Sequence, residues 1–163
     1  MDLDKIAIRA ITAELARPIR CLVLRPGQPA AASVYPGDDD PQSFHLGAFL
    51  DDRLVAAASF LPERSPLHAR DHNWRLRGMA TLEEVRSCGI GGRLLDRGMR
   101  EVRARGGSEL WCYGVAKARG FYERHGMAAI GDMFELPNTG PLYLFTLHFD
   151  EYDAGKAAQE DAR

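Results

Sequence analysis

The sequence predicts a mixed α/β domain built around a single central sheet. Three observations carry that expectation. Seven short apolar or alternating runs have strand character, three stretches with helical spacing interrupt them, and 163 residues is about one domain's worth of chain. A composition of 45% hydrophobic and 27% charged residues fits a folded globular chain and excludes a disordered or fibrous one.

Taken in order, residues 5–11 alternate at first through Ile6 and Ile8 and read as a short strand. Leu15, Ile19, Leu22 and Val23 recur at helical spacing, which predicts a helix over 12–25 with Thr12 near its N-cap and Pro18 bending it or starting its second half. Residues 26–42 form a Pro/Gly/Asp-rich loop, long enough to suggest the rim of a pocket. The runs 44–50 and 54–61 are β-like, and Asp51-Asp52-Arg53 between them reads as a hairpin turn. Residues 62–72 are irregular. Residues 73–82 form a strand with Trp74, Leu76 and Ala80 on one face and Arg75, Arg77, Met79 and Thr81 on the other. A turn with Gly89, Gly91 and Gly92 leads into an amphipathic helix carrying Ile90, Leu94, Leu95, Met99 and Val102, which Gly106-Gly107 ends. Residues 108–113 are a strand, 116–124 a short helix with Gly126 past its end, and 127–135 and 142–149 two last strands. The domain therefore spans 1–149, and the polar tail 150–163 is expected to be loose and flexible.

Several function classes drop out. A formal net charge of -2 without a basic face gives no reason to expect nucleic acid. No apolar run approaches the roughly 18 residues of a bilayer helix, and the acidic, alternating first residues do not read as a secretory signal, so no membrane partner is expected. Cys21, Cys88 and Cys112 are odd in number and widely spaced, which argues against a disulfide framework and against a metal site and makes a reducing cytoplasm the expected compartment. Cys21 and Cys112 read as core fillers.

The informative segment runs from Met79 to Leu95. A strand enters a turn with glycines two apart, and the turn opens a helix directly. Glycines let the backbone approach a ligand, and the first N–H groups of a helix, with its dipole, suit a pyrophosphate. The string Arg86-Ser87-Cys88-Gly89-Ile90-Gly91 is weak by itself, since a tight turn before a helix can look the same. It is no Walker loop, because no Gly-Lys-Ser/Thr follows, and no βαβ unit with an acidic ribose ligand follows either.

Met79 to Leu95, then Leu110-Trp111-Cys112, then Ala118 to Met127 with Phe121-Tyr122, together resemble the GNAT superfamily of acyl-CoA-dependent N-acetyltransferases. Its Gln/Arg-x-x-Gly-x-Gly/Ala motif is matched from Arg86 to Gly91, and its Ala-x-x-Phe-Tyr-x-x-x-Gly-Phe motif from Ala118 to Met127, with Met127 for the usual Phe. The resemblance covers about residues 5–149 and implies a mixed, mostly antiparallel sheet of about six to seven strands flanked by helices. It implies acetyl-CoA as co-substrate, no metal, and a primary amine of a small molecule or peptide as acceptor. Backbone groups of Met79, Ala80 and Thr81 would pair with the pantetheine arm, and Arg86, Ser87, Cys88, Gly89, Ile90, Gly91 and Gly92 would hold the pyrophosphate. Tyr122 would be the general acid for the departing thiolate. Where many members carry an Asn, this chain has Tyr113-Gly114-Val115, which puts that cofactor contact in doubt and keeps a non-catalytic acyl-CoA sensor as the alternative. A homodimer is left open.

An alkyl amine is almost wholly charged at pH 7, and freeing its lone pair costs about 4.6 kcal/mol, so a base is useful. Glu83, Glu84, His45, Asp71 and His72 are the titratable groups near the strand ends, and each has an ordinary structural reading, so the base stays unassigned. Cys88 reads as a small turn residue pointing away from the phosphates. The acidic run Asp38-Asp39-Asp40 at the loop permits a cationic acceptor.

Overall fold

The computed structural model describes residues 2–162. The strands are β1 (Ile6–Ile11), β2 (Phe44–Leu50), β3 (Arg53–Pro62), β4 (Asn73–Thr81), β5 (Glu109–Val115), β6 (Ala128–Leu136) and β7 (Gly140–His148). The α-helices are α1 (Ala13–Leu24), α2 (Ile90–Ala104), α3 (Arg119–Arg124) and α4 (Phe149–Asp161). The strands hydrogen-bond in the order β1-β2-β3-β4-β5-β7-β6. Pairing is parallel for β4–β5 and antiparallel for β1–β2, β2–β3, β5–β7 and β6–β7, which is the mixed, mostly antiparallel sheet that was expected. The chain divides into two compact units, one running to Pro62 and adding Leu76–Arg100, the other made of Glu63–Arg75 and the chain from Glu101 onward.

In the first unit, the β2–β3 hairpin closes through Asp51 and Asp52, both with positive φ (47° and 65°), between the paired Leu50 and Arg53. Two left-handed residues in a two-residue loop match the twist of the strands, and Asp tolerates that conformation better than most side chains. β3 is buried along both faces, and its alanine run (Ala56, Ala57, Ala58) lets neighbours come close. Thr12 caps α1, its Oγ1 accepting from Leu15 N at 3.2 Å. The helix turns inward a face other than the one its leucines suggest. Ala13, Ala16, Ile19 and Arg20 are buried, whereas Leu15 and Leu22 stand 53% and 66% exposed. Small side chains at 13 and 16 allow α1 to lie close on β2 and β3, and Arg20 finds a buried acid there. On α2, Gly98 faces the Phe60 ring of β3 so closely that a Cβ would lie 1.8 Å from Phe60 Cζ.

In the second unit, β5 pairs with β7 along its whole length, from Glu109↔His148 to Val115↔Leu142. It pairs with β4 at Asn73↔Glu109, Trp74↔Leu110 and Arg75↔Trp111. The fully buried Glu109 carboxyl group is held by Asn73 Nδ2 at 3.1 Å and Thr146 Oγ1 at 2.7 Å, which satisfies an otherwise costly buried polar group. α3 packs on β6 and α4 on β7. Of the polar tail expected to be loose, the residues to Asp161 are helical. Asp150 and Glu151 occupy the first turn of α4, where the helix dipole favours acids, and Arg70 bridges both at 3.1 and 3.0 Å. Among the described residues no helix is long and apolar enough to cross a membrane.

Candidate active site

The glycine-rich turn lies in the first unit. β4 ends at Thr81, Leu82 N donates to Val55 O at 2.9 Å, and Glu83–Val85 make a single 3-10 turn. Arg86 folds back so that its Nε donates to the Thr81 carbonyl at 3.2 Å, bracing the turn against the strand end. Ser87 and Gly89 both take positive φ (61° and 82°), and the helical ladder begins with Arg93 N to Gly89 O at 3.1 Å. The N–H groups of Ile90, Gly91 and Gly92 precede that bond and are the donors a helix start leaves open. A Cβ built on Gly89 would meet nothing within 4 Å, so there is room in front of the turn. Arg86, Ser87 and Gly89 are exposed, Cys88 and Gly91 half-buried, and the Ile90 side chain buried as the first core contact of α2. Ala80 is buried, and Met79 and Thr81 are half-buried. The Cys88 thiol donates within the turn, to Arg86 O at 3.4 Å.

Tyr122 lies in the second unit. α3 turns it inward, with its ring centroid 4.6 Å from that of Phe145 and 5.1 Å from that of Phe121. Gly114 of β5 forms the floor beneath it, since a Cβ there would come within 2.5 Å of Tyr122 Cε2. The hydroxyl shares a hydrogen bond with the buried Cys112 thiol. Burial first, then the Cys112 neighbour, holds the Tyr122 hydroxyl well above the ordinary tyrosine range, so it stays protonated at neutral pH. Burial likewise pushes the Cys112 thiol up to about 12, and it too keeps its proton.

The candidate bases have structural partners. His45 is buried; its Nε2 lies 3.0 Å from the Asp38 carbonyl and its Nδ1 2.6 Å from Ser59 Oγ. The carbonyl can only accept, so Nε2 carries the proton and Nδ1 accepts from the serine hydroxyl. Arg20 closes the ring, donating to Ser59 Oγ at 2.5 Å and to both Asp38 oxygens at 2.7 and 2.9 Å. Burial pushes the Asp38 carboxyl up, but hydrogen bonds from Arg20 and from Tyr35 N outweigh it, and the net shift is below the usual range. Burial, aided by the Arg20 charge, lowers His45. His45 is thus a satisfied core histidine. Glu84 is exposed, paired with Arg53 at 2.7 Å, and held below its usual range by its own backbone N–H and then by that arginine. Glu83, Asp71 and His72 are exposed.

Sequence reasoning missed Arg20 and Ser59, and read Gly114 only as part of a departure from the family pattern. The only signal for Arg20 was its place one residue after Ile19 on the inward face of α1. Cys21, read as a core filler, is half-buried with its thiol 3.8 Å from Gln28 O. All three cysteines are free.

A family model described as the acetyltransferase (GNAT) family matches residues 13–127. An N-acetyltransferase of Bacillus subtilis, YitI, itself uncharacterized, is 35% identical over 133 residues, which span 82% of this chain and 89% of that protein. Among solved structures, Escherichia coli ElaA aligns with a TM-score of 0.71 at 16% identity, covering 86% of this chain and 98% of ElaA. An aminoglycoside 6'-N-acetyltransferase complexed with coenzyme A aligns with a TM-score of 0.68 at 16% identity, covering 87% of this chain and 96% of that one. At such identities the two structures speak for the fold alone.

Proposed function

The chain belongs to the acetyltransferase (GNAT) family, and on that premise we propose that it carries an acetyl group from acetyl-CoA to a primary amine of a small molecule or peptide, by direct attack of the amine on the thioester. The observation that carries this reading is the β4–turn–α2 segment. Left-handed Ser87 and Gly89 and the open helix start present a cluster of N–H donors, with open space beside Gly89. The backbone of Ser87, Cys88, Gly89, Ile90, Gly91 and Gly92, with Arg86, would take the pyrophosphate, and backbone groups of Met79, Ala80 and Thr81 the pantetheine arm. Acetyl-CoA supplies the activated acyl group. Tyr122, kept protonated by its burial, would give its proton to the departing sulfur. The free cysteines suit a reducing cytoplasm.

Thermal shift with acetyl-CoA, CoA, ATP and NAD tests the cofactor, and only CoA species should stabilise the protein. In Gly91→Val a side chain would crowd the phosphate-facing backbone. Affinity for CoA should fall at least about tenfold with the melting temperature little changed, and unchanged affinity would remove this turn as the cofactor site. Thiol release across an amine panel then tests the transfer. Stabilisation by CoA with no release for any amine would replace the enzyme by a sensor.

A further inference from the structure

A glycine distorts β4 just before Met79. Gly78 takes φ +62° in the interior of a strand that runs from Asn73 to Thr81. In a regular strand successive side chains point to opposite faces. Here the Arg77 guanidinium lies over the Tyr35 ring at 4.1 Å, and a Cβ on Gly78 would lie 3.2 Å from Cε2 of the same ring. Consecutive residues therefore face one neighbour, the mark of a β-bulge opened by a left-handed glycine. A bulge re-aims the backbone that follows it, and here that backbone belongs to Met79, Ala80 and Thr81.

Arg20 of α1 stands behind the bulge. Its side chain is 0% exposed, and its Nη atoms donate to the Ser33 carbonyl, to both Asp38 oxygens and to Ser59 Oγ at 2.5–3.0 Å. Its Nε is buried with no hydrogen-bond partner among the described residues, and it lies 2.7 Å from where a Gly78 Cβ would be. The same guanidinium lies 4.3 Å from the centre of the Tyr35 ring. Arg20 therefore meets β4 through shape, because the atom it presents to Gly78 makes no bond there. A planar fork fixed on four acceptor contacts is a stiffer wall than a free aliphatic chain of similar length. We propose that Arg20 and Tyr35 are positioning residues for the cofactor arm: they hold the Gly78 bulge and so set which backbone N–H and C=O groups of Met79, Ala80 and Thr81 face the pantetheine amides. The inference rests on the reading of that stretch as the one that takes the arm. Amides pair with a strand only when its donors and acceptors have the right spacing and direction, and the bulge controls both.

The test compares ligands by calorimetry: CoA, and the nucleotide half of CoA, which ends at the pyrophosphate and has no arm. The variants, each with a melting curve, are Gly78→Ala, Tyr35→Leu, and Arg20→Met combined with Asp38→Leu, which removes both charges together. Each should weaken CoA by about tenfold, the size of one or two misaligned backbone hydrogen bonds, and leave the nucleotide half unchanged. Gly78→Ala should add little in the charge-free background, because the Nε that its Cβ would meet is gone. A merely structural role lowers stability without separating the two ligands. If the charge-free variant does not fold, Tyr35→Leu, which leaves the Arg20–Asp38 pair whole, decides. Equal losses for both ligands would overturn the positioning role. Full CoA affinity in folded Tyr35→Leu and Arg20→Met/Asp38→Leu, beside a weakened Gly78→Ala, would also overturn it and leave the arm on β4. Full CoA affinity in Gly78→Ala as well would instead take the arm off this strand.

Discussion

Replacing Asp38 by alanine withdraws the carboxylate from a buried ion pair whose partner cannot reach water. The Arg20 and Asp38 side chains are 0% and 1% exposed, and two short bonds of 2.7 and 2.9 Å join them. After the change Arg20 keeps only neutral acceptors, the Ser33 carbonyl at 3.0 Å and Ser59 Oγ, while Tyr35 N loses the acceptor it holds at 3.0 Å. Stranding one charge of such a pair costs about 3–5 kcal/mol. The backbone donor adds to this but overlaps with it, so about 4 kcal/mol is expected overall. For a chain of this length that is a fall of about 8–16 °C in melting temperature. Urea unfolding with an unchanged slope is the measurement. The control is Arg20→Met with Asp38→Leu, which removes both charges and should recover most of the loss, because an apolar pair needs no desolvated counter-ion. A loss under about 1 kcal/mol in Asp38→Ala, the size of an exposed pair, would refute the reasoning. So would a double variant as unstable as the single one.

Two further outcomes follow from the same unit. Gly98→Ala should destabilise by about 2 kcal/mol despite a helix-propensity gain of about 1, because the new Cβ would lie 1.8 Å from a fully buried Phe60 ring that Phe44 stacks against at 4.9 Å; a neutral or stabilising result in denaturant melts would show that the ring can yield. Stability should also fall on acidification. His45 sits below its usual value near 6.5, so as pH drops past that value the unfolded chain takes up the proton first, and the loss runs at up to about 1.4 kcal/mol per pH unit until the folded histidine titrates. Asp38, also lowered, contributes stability that is complete above its usual carboxylate value and is lost as pH falls through its folded value. Denaturant midpoints of His45→Gln should lack the first of these losses, and a wild-type slope between pH 7 and 5 would exclude His45 as its source.

The elements were legible where the signal is local. Thr12 before a periodic run gave the α1 start, Asp51-Asp52 gave the hairpin, and the glycines at 89, 91 and 92 marked the entry to α2. What was not legible depends on partners far along the chain. Leu15 and Leu22 have helical spacing as good as that of Ala13 and Ala16, and only the alanine-rich β3 decides that the small residues face inward. Gly114 looked like a gap in a family pattern, and its reason became visible only once the Tyr122 ring stood over it. The polar α4 segment has no apolar periodicity to announce it, and its helix is set by Arg70 on the first-turn acids and by Arg103 on Asp153 at 2.5 Å.

The acidic run in the loop before β2 shows how local reading and tertiary context part company. As a string, Asp38-Asp39-Asp40 is a negative surface ready for a cationic acceptor. In the fold, three identical side chains have three different tasks. Asp38 is buried on Arg20, Asp39 meets Arg17 at 3.2 Å, and Asp40 Oδ1 accepts from Gln42 N at 2.8 Å. Both arginines come from one face of α1, three residues apart, and Arg17 also lies 3.6 Å from Asp38, so the helix and the loop are joined by three ion pairs on adjacent positions. Of these, the Arg17–Asp39 pair has the exposed carboxylate and is open to screening by salt. A charge neutralised in this way attracts a distant amine weakly, and the run is therefore a tether that fixes the loop to α1 before it is a recognition surface.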